Sequence, residues 1–206
     1  MSRYMKFTYF LTVLILGGGL LAGCGQAKVP QDHYYRMDLA APARMEQPLL
    51  SGTLAIKRFA ADGMLQARGI VYSQPARPLE VESYHYHHWT DIPPVMLQEL
   101  LVGYLRAANV ALSIVAGGVD VEPDYILKGR IKRLERVIGS SSEGIFELEL
   151  SLIQANSRRV VLHRSYRQQV RADNQTVAGT VAALNQALAK VYAEFLSDLT
   201  ALKSGS

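Results

Sequence analysis

One cysteine, one tryptophan and five phenylalanines are spread over 206 residues, and charged side chains make up 19% of the chain. With a single cysteine no intrachain disulfide can form, so the fold depends on a hydrophobic core. The charge balance is close to neutral. The formal +4 includes Arg3 and Lys6, and no acid precedes residue 24, so the rest of the chain carries +2. That is no footprint for a nucleic acid. There is no G-x-x-x-x-G-K phosphate loop and no G-x-S-x-G elbow, and Gly117-Gly118 reads as a turn and Ser140 to Ser142 as a hairpin tip. These absences leave nucleotide and serine-hydrolase chemistry without residues, and no cofactor is expected.

What is present begins with a basic-then-apolar leader. Arg3 and Lys6 precede an apolar run from Phe7 to Leu21 that is diluted by Gly17, Gly18 and Gly19. A membrane-spanning helix needs about 20 apolar residues, so the run is short for an anchor and suits an export signal. It closes on Leu21, Ala22, Gly23 and Cys24, and that tetrapeptide resembles the lipobox at which lipoprotein signal peptides are cut and the new N-terminal cysteine is acylated. The expected organisation is a signal peptide over 1–23, a lipidated terminus and tether over 24–33, one domain over 34–200 and a flexible tail over 201–206.

Within the domain, hydrophobic periodicity predicts strands at Tyr34 to Leu39, Thr53 to Phe59, Gly69 to Ser73 and Leu79 to Trp89, with Gln47 to Gly52 as a loop. Pro93 and Pro94 open a helix on which Leu97, Leu100, Leu101, Tyr104, Leu105 and Ala108 share one face, with Asn109 as its C-terminal cap. Ala111 to Val115 is another strand, closed by the two glycines. A long strand starting at Asp124 reverses its phase near Arg133, which predicts a bulge. Gly139 to Gly144 turns into a return strand with Phe146, Leu148, Leu150 and Leu152 on one side. Its Glu147 and Glu149 are expected to face the row Lys128, Arg130 and Lys132. Val160 to Val170 is a third strand. A closing helix from about Gln175 to Leu199, capped by Asp173 or Asn174, carries an apolar stripe from Val177 to Leu199. The fold class expected is α/β, with α+β as the alternative: a single domain whose mixed, mostly antiparallel sheet is covered by two main helices.

His85, His87 and His88 are the one local cluster with chemical potential. On a regular strand His85 and His87 point the same way and could give zinc two nitrogens, but the obvious acid nearby, Asp91, lies beyond the tryptophan, and two ligands do not fix a metal geometry. Trp89, with Tyr86 and His88 beside it, is a candidate partner contact, since tryptophan and tyrosine are enriched at interface hot spots. A tryptophan packed under the first helix is the competing reading. Met64 and Leu65, in the Asp62 to Gly69 loop, form a second candidate surface.

In this order and spacing, the lipobox at Cys24, the pair Tyr34-Tyr35, the strand Leu54 to Phe59, the segment Leu65 to Tyr72, Trp89 ahead of a leucine-rich helix and the late three-stranded stretch resemble the ABC-transport auxiliary lipoproteins of the PqiC/YmbA type. The resemblance implies a non-enzymatic, lipid-anchored domain facing the periplasm, an accessory to MCE-domain proteins and their ABC and membrane components in moving lipids or hydrophobic compounds across a Gram-negative envelope. It leaves room for a homo-oligomer. The chain departs from the family at Ala60 and Ala61, where members often carry proline, and at His88, where a basic residue is usual. Gly25 after the cysteine, in place of aspartate, favours outer-membrane sorting by similarity to enterobacterial lipoproteins. Two other readings stay open at this point: a carrier holding lipid in an apolar cavity between sheet and helices, and a zinc hydrolase built on His85 and His87.

Overall fold

A strand of 14 residues, Tyr125–Ile138, gives the molecule its axis. In the computed structural model, which describes residues 29–118 and 121–204, nine strands and two helices follow one another as β1 (His33–Tyr35), β2 (Leu50–Ile56), β3 (Ala60–Ala61), β4 (Gly69–Gln74), β5 (Arg77–Trp89), α1 (Pro93–Ala108), β6 (Ala111–Ala116), β7 (Tyr125–Ile138), β8 (Ser142–Gln154), β9 (Val160–Arg171) and α2 (Val177–Ser204). One edge of β7 is shared by three parallel strands laid end to end: β2 at residues 125–127, β3 at 130–131 and β4 at 135–137. Its other edge pairs along its whole length with β8, antiparallel, and β9 follows β8. Beyond these, β6 lies parallel to β2, β5 antiparallel to β4, and β1 parallel to β5. The sheet is therefore mixed. Its long ladders are antiparallel and its short ones parallel.

The alternation read from β7 and β8 places Leu127, Ile131, Leu134, Phe146, Leu148, Leu150 and Leu152 in the core. Their pairing slips between Ile131 and Arg133, where the phase of the sequence reverses. That slip redirects the charges. Glu149 faces Arg130 and Glu147 faces Arg133, while Lys128 faces Ser151 and Lys132 falls in the slip, so the expected three-residue basic row opposite two acids is not formed. Arg130 instead reaches Asp62 at 2.7 Å, and Glu147 lies 3.9 Å from Arg167 on β9.

Helix α1 starts at Pro93, which needs no hydrogen-bond partner there, and stops at Asn109 in the left-handed conformation (φ 62°). Leu97, Leu101, Leu105 and Ala108 are buried, and Leu100 and Tyr104 are half-buried. In α2 every residue of the stripe is buried, from Val177 through Leu184, Leu188 and Phe195 to Leu199. Its N-terminal cap is Thr176, whose Oγ1 accepts from the Gly179 amide at 3.0 Å; Asn174 supports the cap by accepting from the Thr176 amide, also at 3.0 Å. The cap thus sits two residues beyond the one expected, and the helix runs on to Ser204. It packs so closely on β8 that a Cβ at Gly144 would lie 2.9 Å from the Leu184 backbone nitrogen.

Other strand boundaries also differ from expectation. β1 ends at Tyr35 rather than Leu39. β2 begins at Leu50, passing through Gly52 at φ 98°, and ends at Ile56 rather than Phe59. β8 takes in Ser142 to Gly144, which shortens the hairpin tip.

Candidate functional site

Between β4 and β5 the ladder holds Gly69 opposite His88 and Val71 opposite Ser83. A single β4 residue, Ile70, thus spans the four β5 residues Tyr84, His85, Tyr86 and His87. Such a bulge lifts side chains out of strict alternation and re-aims them. The short strand β1 binds the far edge of β5 just past the bulge, with His33, Tyr34 and Tyr35 beside His87, His88 and Trp89. It is fastened by the Thr90 amide donating to the Tyr35 carbonyl at 2.8 Å.

The bulge and β1 together assemble an aromatic cluster. His33 stacks on His87, with ring centroids 5.0 Å apart and an interplanar angle of 15°. Tyr35 Oη and His87 Nδ1 share a hydrogen bond of 2.9 Å. Tyr84 meets the same imidazole edge-on at 5.2 Å and packs on Tyr72 at 4.5 Å. Arg136, buried in β7, donates to the Tyr84 hydroxyl at 2.8 Å. Alongside, Tyr34 lies against His88, Arg68 sits over the Tyr34 ring, and Asp32 comes within 3.6 Å of His88 Nε2. Burial first, then the neighbouring His33, Arg136 and His88, push the pKa of His87 below its ordinary value, so its ring is neutral at pH 7. Burial also raises Tyr35, which keeps its phenolic proton.

A family model for the ABC-type transport auxiliary lipoprotein component matches residues 35–195, from the end of β1 into α2. The chain belongs to the ABC-type transport auxiliary lipoprotein family. Among solved structures it is similar to a Xanthomonas campestris protein of the DUF330 family, at 21% identity and a TM-score of 0.72, over 84% of this chain and 100% of that one. An uncharacterized protein aligns at 15% identity and a TM-score of 0.64, over 82% and 99%. A hypothetical protein from Chlamydia trachomatis aligns at 6% identity and a TM-score of 0.50, over 76% and 100%. At these identities the likenesses establish a shared fold. No curated protein matches the chain.

Against this auxiliary-lipoprotein fold the candidate residues separate. Cys24 and the lipobox residues Leu21, Ala22 and Gly23 lie outside the described residues. Trp89 is only 1% exposed. Its amide donates to the Arg68 carbonyl at 2.7 Å and its carbonyl accepts from Arg68 Nε at 3.0 Å. Its indole is part of the hydrophobic core and offers a partner no surface. Tyr86 and Met64 are 45% and 46% exposed and remain available for contact; His88 is half-buried, and Leu65 packs against the core. His85 and His87 both fall within the bulge, where strict alternation does not hold, and His87 Nδ1 is bonded to Tyr35. Among the described residues no group of three or more His, Cys, Asp or Glu is placed to hold a metal ion. Sequence reasoning missed His33, Tyr35, Tyr84 and Arg136. Their partners are brought in by strand pairing across 50 residues or more, and the only local signal was the density of aromatics after Ser83.

Proposed function

We propose that this auxiliary lipoprotein is a lipid-anchored, non-enzymatic accessory subunit that docks on an MCE-domain protein and its ABC-type membrane components and holds them at the outer membrane, facing the periplasm. The observation that carries the reading is positional: the family match begins at residue 35, close behind the lipobox-like Leu21-Ala22-Gly23-Cys24. One acyl chain gives only marginal membrane binding, whereas the several chains of a mature lipoprotein hold firmly. The role is passive. The domain supplies a rigid face, and the anchor supplies its address.

The test is a Cys24→Ala variant followed by palmitate labelling, membrane fractionation and a transport assay in the native host. The variant is expected to be unlabelled, to leave the membrane fraction and to lose transport support. A variant that stays with membranes and still supports transport overturns the reading. Gly25→Asp is expected to move the wild-type anchor from outer-membrane to inner-membrane fractions on a density gradient.

A further inference from the structure

After β1 the chain runs without regular secondary structure through residues 36–41, which face α1 across a cleft. The cleft is open, with a volume of about 420 Å³, within the range of small binding sites. The helix side of the cleft is formed by Met96, Leu100, Gly103, Tyr104 and Ala107, and the facing wall by Met37 and Leu39. At the 1.5 Å rise per residue of a helix, Met96 to Ala107 spans about 16 Å, the length of roughly five residues of extended chain. Gly103 forms the floor. A Cβ there would meet nothing within 4 Å, so the missing side chain leaves depth that the protein itself does not use.

Two polar features decide what fits. Leu39, Ala40 and Ala41 line the cleft and make no main-chain hydrogen bond among the described residues, so their N–H and C=O groups are left for an added chain. Three carboxylates, Asp38, Asp91 and Glu99, line the cleft against one cation, Arg36, and none of the four is in an ion pair among the described residues. A hydrocarbon chain satisfies neither feature. An extended peptide satisfies both, pairing its backbone with the strap and its side chains alternately with apolar floor and acidic rim.

We infer that this cleft is the docking site for an extended segment of a partner protein, about five residues long, alternating apolar and basic side chains. The inference rests on the docking role proposed above and gives that role a surface. Its test is separate from those of the anchor and of transport, so either can fail alone.

The purified protein, held in nanodiscs of uncharged lipid when acylated and free in solution when not, is titrated against fluorescein-labelled Leu-Lys-Leu-Lys-Leu-Lys, against its Leu-Glu counterpart and against laurylamine, with anisotropy or displacement as the readout. The basic peptide is expected to bind at least about tenfold more tightly than the acidic one, a difference of about 1.4 kcal/mol. Gly103→Leu, which fills the floor and raises helix propensity, is expected to weaken the basic peptide by about tenfold or more while the thermal midpoint stays at or above that of wild type. Glu99→Lys should weaken it several-fold. Equal binding of the two peptides, unchanged binding to Gly103→Leu, or laurylamine binding where the peptide does not would each overturn the assignment.

Discussion

The hydroxyl of Tyr192, fully buried in α2, donates a hydrogen bond of 2.6 Å to the carbonyl of Leu97 in α1. It links the two helices through a helical carbonyl, a group that also serves its own turn. Removing the hydroxyl therefore leaves no orphaned acceptor, and Tyr192→Phe should cost only about 1 kcal/mol, the net worth of one hydrogen bond. For a domain of this size that is a fall in Tm of about 2–4 °C by calorimetry. A fall of 10 °C would show that the hydroxyl supports more than this bond.

Trp89 gives a sharper test of where function does not lie. Because its indole is core, Trp89→Ala should lose about 3–5 kcal/mol through cavity formation. Trp89→Phe should recover much of the stability and, with it, partner docking. A Trp89→Phe protein that unfolds at the wild-type temperature yet fails to dock would return the residue to the interface.

Gly144 and Leu184 set the distance between α2 and the sheet. A side chain at 144 meets helix backbone that cannot rotate away, so Gly144→Val should destabilise by about 1–3 kcal/mol or more through overpacking. Urea unfolding measures it, and an unchanged midpoint would mean that α2 can ride outward.

Arg136 donates to Ser142 Oγ at 2.9 Å, to the Tyr84 hydroxyl at 2.8 Å and to the Gln175 carbonyl. These partners lie in different directions around one planar fork, which an ammonium group cannot imitate. Arg136→Lys and Arg136→Met should both lose about 2–3 kcal/mol, since hydrogen bonds to a charged group are worth about 1.5–3 kcal/mol. Wild-type stability in the lysine variant would argue that the charge alone matters.

His87 makes stability depend on pH with a definite sign. The groups around it are His33 and Tyr35 on β1, Tyr84 and His88 on β5, and Arg136 on β7. The folded protein holds the imidazole proton more weakly than the unfolded chain does. The contribution of His87 is therefore present above its ordinary pKa of 6.5 and is lost as pH falls through the lower folded value. Urea midpoints measured from pH 8 to pH 5 should fall on the acid side for wild type and fall less for His87→Gln. Parallel curves for the two proteins would remove His87 as the cause.

The parts of the fold that could be read from sequence are those in which one element carries its own pattern. The stripe from Val177 to Leu199, the prolines before Leu97, Asn109 as a cap and the phase reversal near Arg133 are all local signals, and the structure holds each of them. What escaped depends on partners. Strict alternation put His85 and His87 on one side, but β4 pairs with β5 at Ser83 and again at His88 with only Ile70 between, a register that no local pattern encodes. Glu135 and Arg136 are buried although their sequence reads as surface, because each is satisfied by groups that pairing brings in: Ser73 and Arg133 for the acid, Ser142, Tyr84 and Gln175 for the base. Two-residue β3 is too short to show a period at all, and β1 is legible as a strand but not in its bounds. The cleft beside α1 left no trace either, since Gly103 within a leucine-rich helix looks like a minor loss of propensity until the facing segment is in place.

The three short strands laid along one side of β7 have a bearing on the order in which the chain can close. β2, β3 and β4 are made before the strand that completes them, so the leading half of the polypeptide emerges as a row of unfinished edges. Closure waits for residues 125–138, and contacts this distant form slowly.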